Sequence, residues 1–140
     1  MALLLGAAVL GTRLADVLHD YETLQVLSQH VSLGLLLFGA MVARFAWRLH
    51  NPNPVLNYAL HEIHKRGAIS AHWFTYSVVI FQCCLGFAQL LADGEHVVLF
   101  EVAGVRFPAF GALGLRDRLN DAHKIIANAI YVVIALHIVG

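Results

Sequence analysis

From Gly67 to Ala92 the chain runs for 26 residues without a lysine, arginine, aspartate or glutamate. As an α-helix such a run exceeds the ~20 residues needed to cross ~30 Å of hydrocarbon. The rest of the chain agrees with a membrane setting. Of 140 residues, 59% are hydrophobic and only 13% charged, with a mean hydropathy of +0.71, too apolar for an ordinary water-soluble domain. The formal net charge is zero and the nine lysines and arginines are scattered, so no basic field exists to recruit nucleic acid.

Two further spans follow from the same reasoning. Leu24 to Trp47 is apolar except for Gln25, Ser28, Gln29, His30, Ser32 and Arg44, and the arginine is placed to snorkel to the headgroups. Residues 125–140 form another span, entered through Asn120-Asp121-Ala122-His123-Lys124, with Asn120 or Asp121 expected as the N-cap. Met1 to Gly11 is apolar but spans only ~16 Å as a helix. It has no basic residue ahead of it, as a signal peptide would. It reads as the later half of a helix beginning upstream, and the apolar sequence ending at Gly140 reads as cut short too. The expected fold is all-α, a single transmembrane four-helix bundle over residues 1–140 with helices at about 1–18 (partial), 24–47, 67–92 and 121–140.

Loop charge orients this bundle. Arg44, Arg48, Lys65 and Arg66, opposed only by Glu62, flank the connection after Asn51-Pro52-Asn53-Pro54, which is therefore expected on the cytoplasmic side. Asp93 to Leu119 is expected to be a long outer loop lying on the membrane surface, with Phe100, Phe107 and Phe110 dipping into it.

Nine histidines are the unusual feature of so apolar a chain. His123 and His137 lie fourteen residues apart, a rise of ~21 Å with a return to within ~40° of the same helix face. They cannot share one metal ion, so each serves a separate centre or none. Two axial ligands stacked on one helix are what two haems near opposite leaflets require. His30 falls at the same outer depth as His123 on another helix, giving a bis-histidine pair. Gly34, one turn after His30, leaves room for a flat macrocycle. The plainer alternative makes His30 and His123 interfacial polar residues at helix ends. His137 needs a partner at inner depth, where His72 lies beside Trp73; His72 reads equally as a member of the aromatic belt or as a ligand or quinone-site residue. Arg44, fourteen residues after His30, either neutralises haem propionates or anchors the helix.

The remaining motifs carry less. His61-Glu62-Ile63-His64-Lys65 spaces its histidines by three rather than the four of a metalloprotease and is expected in a solvated loop. His19, His50 and His96 lie in or beside connections. Cys83 and Cys84 are adjacent and read as small packing residues. No phosphate loop, serine elbow or paired-carboxylate arrangement occurs.

Taken together, His30 with Gly34 and Arg44, the Pro-rich loop after Arg48, Ala71-His72 with Gly86, and His123 through Leu136-His137 resemble the prokaryotic cytochrome b-561 family, membrane dihaem cytochromes related to the gamma subunit of formate dehydrogenase and the cytochrome subunit of nickel-iron hydrogenase. The resemblance implies haem b at two sites: an outer haem (His30 and His123), and an inner haem held by His137 and a histidine near the start of the first helix. The sequence departs from the family there, since no histidine precedes Gly11, and His72 is the available substitute. Also implied are a multi-pass protein of the bacterial inner membrane and electron transfer between a membrane quinone and a periplasmic redox partner or a small oxidant such as superoxide, whether as a carrier or as a quinone-linked oxidoreductase. Iron held by two imidazoles has no open coordination site, which favours electron transfer over dioxygen activation. The rival reading is a haem-free helical scaffold, or a subunit anchoring a larger dehydrogenase.

Overall fold

The computed structural model describes residues 2–16, 20–51, 62–94, 96–110 and 114–139, and within them all side chains except those of residues 2, 15, 16, 20–23, 62–65, 68, 93 and 137–139. The chain forms α1 (Ala2–Asp16), α2 (Asp20–His50), α3 (Glu62–Asp93), β1 (His96–Leu99), β2 (Ala103–Arg106) and α4 (Leu115–Val139). It is an all-α bundle carrying one small hairpin, and three of its helices are long and apolar enough to cross a membrane: Leu24–His50, Ile69–Ala92 and Leu115–Leu136. The protein is a multi-pass membrane protein.

Every helix contributes to one core. Ala7 of α1, Leu37 of α2, Val79 of α3 and Ile130 with Ile134 of α4 are buried together, flanked by Leu33, Met41 and Ile126. The opposite faces present Leu35, Leu36, Phe74, Phe81, Ile125, Val132 and Leu136 outward, which suits lipid and not water. Hydrocarbon supplies no hydrophobic drive between helices, so close packing and interhelical hydrogen bonds must hold them. One polar clamp joins each successive pair. His30 Nδ1 meets the Ala7 carbonyl at 3.0 Å (α1–α2), Arg44 Nε donates to Tyr76 Oη at 3.1 Å (α2–α3), and Gln82 Nε2 donates to the His123 carbonyl at 3.0 Å (α3–α4). Tyr131 Oη donates to the Ala8 carbonyl at 3.1 Å and closes the ring from α4 to α1. Such bonds contribute roughly 0.6–2 kcal/mol each.

The helix ends differ from those read off the hydropathy. α4 begins at Leu115, so Asn120 and Asp121 lie inside the helix and neither caps it; Asp117 sits in the first turn, where its charge suits the helix dipole. α2 starts at Asp20 and α3 at Glu62, each ahead of its apolar run. Residues 62–65 of the His61–Lys65 motif are thus helical, not loop, while His61 itself, like His19 and Pro52 to Pro54, lies outside the described residues. Apolar length marks the hydrocarbon-crossing portion, and polar turns extend each helix past it. α2 stops where Asn51 turns its backbone N–H and Nδ2 onto the Trp47 carbonyl, just before Pro52. α3 stops at Gly94, whose φ of +69° and contact with Ala109 leave no room for a side chain.

The segment expected as a surface loop contains an antiparallel hairpin, with Val97 facing Val105 and Val98 facing Gly104. Its turn is closed by Val102 N–H on the Leu99 carbonyl at 3.0 Å, with Phe100 and Glu101 at φ of 53° and 59°. Left-handed backbone at non-glycine residues costs on the order of 1–3 kcal/mol each, so the turn needs external support. That support comes from α2. Buried Ser28 accepts from Val98 N–H at 3.0 Å, buried Ser32 accepts from Phe100 N–H at 2.8 Å, and Gln29 Nε2 donates to Glu101 Oε1 at 3.3 Å. Val97 of β1 is fully buried, and Phe107 packs edge-on against Phe87 of α3 at 5.6 Å. Phe100 and Phe110 remain exposed.

Replacing Ser28 and Ser32 together by alanine orphans two amides at a cost of ~1–3 kcal/mol each. Hydrogen exchange at the Val98 and Phe100 amides should accelerate by about tenfold or more while the α3 and α4 cores keep their protection. Unchanged exchange at those two amides would contradict the anchoring role.

Candidate functional site

Of the histidines that the sequence singles out, the structure brings two together. His30 on α2 and His123 on α4 face one another across the bundle near its hairpin end, with ring centroids 6.3 Å apart and planes turned by 74°. Both rings are partly buried. His30 Nδ1 lies 3.0 Å from the Ala7 carbonyl. A carbonyl only accepts, so that nitrogen carries the proton and Nε2 keeps its lone pair. A neutral imidazole with a free Nε2 is the form that ligates a metal.

Two glycines shape the ring pockets. A Cβ built on Gly11 of α1 would lie 3.3 Å from His30 Cε1, and one built on Gly86 of α3 would lie 3.2 Å from His123 Cε1. The arrangement repeats itself. Gly11 is one turn after Ala7, whose carbonyl holds His30, and Gly86 is one turn after Gln82, whose backbone carbonyl faces the His123 ring. In each case the missing side chain lets an imidazole edge come up against the neighbouring helix. Gly34 is different: a Cβ there would meet nothing within 4 Å, so the space beside it is open, and its carbonyl receives the Cys83 thiol at 3.8 Å.

The other candidates lie apart from this pair. Arg44 is exposed and bonded to Tyr76 Oη; His72 is exposed and stacked on Tyr76 with centroids 6.3 Å apart; Phe45 packs on both Trp73 and Tyr76. They form an aromatic cluster around Tyr76 at the end of α2 and α3 away from the hairpin. The helix continues unbroken from His123 through residue 137, and the His137 side chain lies outside those described. Cys83 is half-buried and Cys84 exposed, both as free thiols. His50 turns its Nδ1 onto the Ala46 carbonyl at 2.9 Å, and His96 lies exposed on β1. Beside α2, a cleft of about 380 Å³ opens between Leu10, Gln29, Leu33, Phe100 and Glu101, largely apolar with one carboxylate and one carboxamide on its wall.

Whether the pair suits a haem is a question of length. Two metal–imidazole bonds of about 2.0 Å, plus about 1.1 Å from each ligating nitrogen to its ring centre, put centroids about 6.2 Å apart across one metal ion. The observed 6.3 Å agrees. No group of three or more His, Cys, Asp or Glu side chains able to hold a metal occurs among the described residues, and a haem needs only two axial ligands.

The sequence of the whole chain, residues 1–140, matches the model of a family described as prokaryotic cytochrome b561, and the chain belongs to that family. No curated protein matches it. Membership makes it a membrane b-type cytochrome that transfers electrons through haem b.

Sequence reasoning missed Gly11, Ala7, Gln82 and Tyr76 as contributors. Glycine in a membrane helix marks a place where a neighbour approaches closely, and the glycines one turn after Ala7 and Gln82 were the available signal. Gly86→Val should press on His123 and lower the haem bound per purified chain, with an affinity loss of about 10-fold or more, as for other residues that orient metal ligands. Gly39→Val, which enters open space, should leave haem content unchanged. Equal haem content in the two variants would contradict the pocket geometry.

Proposed function

We propose that this prokaryotic cytochrome b561 carries electrons between the membrane quinone pool and a periplasmic partner, whether a redox protein or a small oxidant such as superoxide, through a haem b clasped by His30 and His123. The observation that carries this reading is the 6.3 Å separation of the two imidazoles. A haem held by His30 and His123 would supply reversible one-electron chemistry.

The chain's own residues do the rest. Ala7 fixes the His30 tautomer, Gly11 and Gly86 let the rings seat deeply, and the core around Val79 and Ile130 keeps water from the bundle interior. The cleft lined by Gln29 and Glu101, residues of α2 and the hairpin turn, is a place for a small partner to dock. On the same reading His137, ~21 Å along α4, serves a second haem toward the cytoplasmic leaflet, with His72 as the histidine offered at that end and Arg44 as the nearby positive charge. Arg44, Arg48, Lys65 and Arg66 support placing that end in the cytoplasm and the protein in the bacterial inner membrane.

Protein expressed with ample haem should purify red, with a Soret band that shifts and sharpens on reduction by dithionite. His30→Ala or His123→Ala should each remove one haem per chain while the protein still inserts. Colourless wild-type protein would favour a haem-free scaffold or anchor subunit, and full haem content in either variant would refute the ligand pair.

A further inference from the structure

Among the described residues only two buried side-chain polar atoms lack a hydrogen-bond partner: Gln82 Oε1 and His123 Nδ1. They belong to two residues already bonded to one another, since Gln82 Nε2 donates to the His123 backbone carbonyl at 3.0 Å. Unmet polar atoms in a helix bundle cost ~1–3 kcal/mol each, so their pairing at one spot calls for an explanation. Exchanging the amide's nitrogen and oxygen does not help, because it sets an oxygen against a carbonyl oxygen and leaves the NH₂ group unmatched. The backbone carbonyl of Gln82 faces the same ring edge, yet short of proper hydrogen-bond geometry. On the other side of the site no such gap exists, because Ala7 satisfies His30 directly.

We infer that a single buried water joins His123 to Gln82, accepting from Nδ1–H and donating to Gln82 Oε1, with its second hydrogen turned toward the Gln82 backbone carbonyl. Three partners is the usual complement of an internal water. Gln82 is then a positioning residue: its NH₂ group ties α3 to α4 at the ligand's own backbone, and its oxygen holds, through the water, the nitrogen opposite the ligating one. An imidazole hydrogen-bonded at Nδ1–H is a more basic ligand with a fixed tautomer, which favours ferric over ferrous iron and lowers the reduction potential. The two sides of the haem differ in kind, with a rigid backbone acceptor behind His30 and an exchangeable water behind His123. This inference rests on His123 being a haem ligand.

The test is a redox titration of the purified, haem-loaded protein, following the haem that His123→Ala removes. Gln82→Leu keeps the volume and deletes the acceptor. Its haem should become easier to reduce, with the oxidised-to-reduced ratio at a fixed ambient potential falling by about threefold to tenfold, the latter equal to about 59 mV for one electron. Gln82→Glu still offers an accepting oxygen and should remain at or below the wild-type potential. Gln82→Met repeats the deletion with a flexible side chain should the leucine variant fail to insert. Full haem content with wild-type potentials in both deletion variants overturns the inference, as does a glutamate variant that behaves like leucine. An experimental map with a water within hydrogen-bond reach of both atoms supports it, and one with no water and a direct contact between them overturns it. Wild-type protein without haem, or His123→Ala that keeps both haems, instead removes the ligand assignment beneath it.

Discussion

An imidazole placed inside a membrane has two nitrogens to satisfy and no bulk water to satisfy them, and the architecture follows from how His30 and His123 are held. Each ring lies against a neighbouring helix, His30 with Nδ1 on the Ala7 carbonyl and His123 beside Gly86, and the two ring centres stand 6.3 Å apart. Four helices are therefore needed for one ligand pair: α2 and α4 bear the histidines, while α1 and α3 supply Ala7 with Gly11 and Gln82 with Gly86. Loss of α1 would leave the buried His30 ring unmatched, at a cost comparable to the interhelical clamps themselves.

The same economy governs the rest of the bundle. Because lipid gives apolar side chains little reason to prefer one another, the few polar residues both position the site and hold the helices together. Gln82 is the clearest case, since its carboxamide ties α3 to the His123 backbone. At the far end Arg44 joins α2 to α3 through its hydrogen bond to Tyr76, and Phe45 adds edge-on contacts with Trp73 and Tyr76. The hairpin obeys the same rule. Ser28 and Ser32 flank His30 on α2 and offer hydroxyl oxygens to the amides of a strained turn, so the hairpin is fastened to the helix that bears His30.

Hydropathy made the bundle legible because hydrocarbon-crossing helices must be long and apolar, and the runs around Leu35, Val79 and Ile130 satisfy that requirement. It erred at the ends, where Glu62 to Arg66 and Leu115 to Leu119 continue the helices with polar residues that hydropathy assigns to connections. The hairpin was hidden for a physical reason. Its turn holds Phe100-Glu101, where such turns favour Asn-Gly, and its stability comes from serines about seventy residues away. The pairing of His30 with His123 could be read from depth alone, since both sit near the same end of their spans. The carbonyls and glycines behind them could not, because backbone acceptors leave no mark on residue identity and only the unexplained glycines hinted at close approach.

The most direct measurement is the position of iron itself, located by anomalous scattering at the iron absorption edge in crystals of the haem-loaded protein. The account predicts a peak between the two rings, about 2 Å from one nitrogen of His30 and one of His123. A haem-loaded protein whose iron lies elsewhere, with the His30 and His123 rings bonded only to protein, would contradict it.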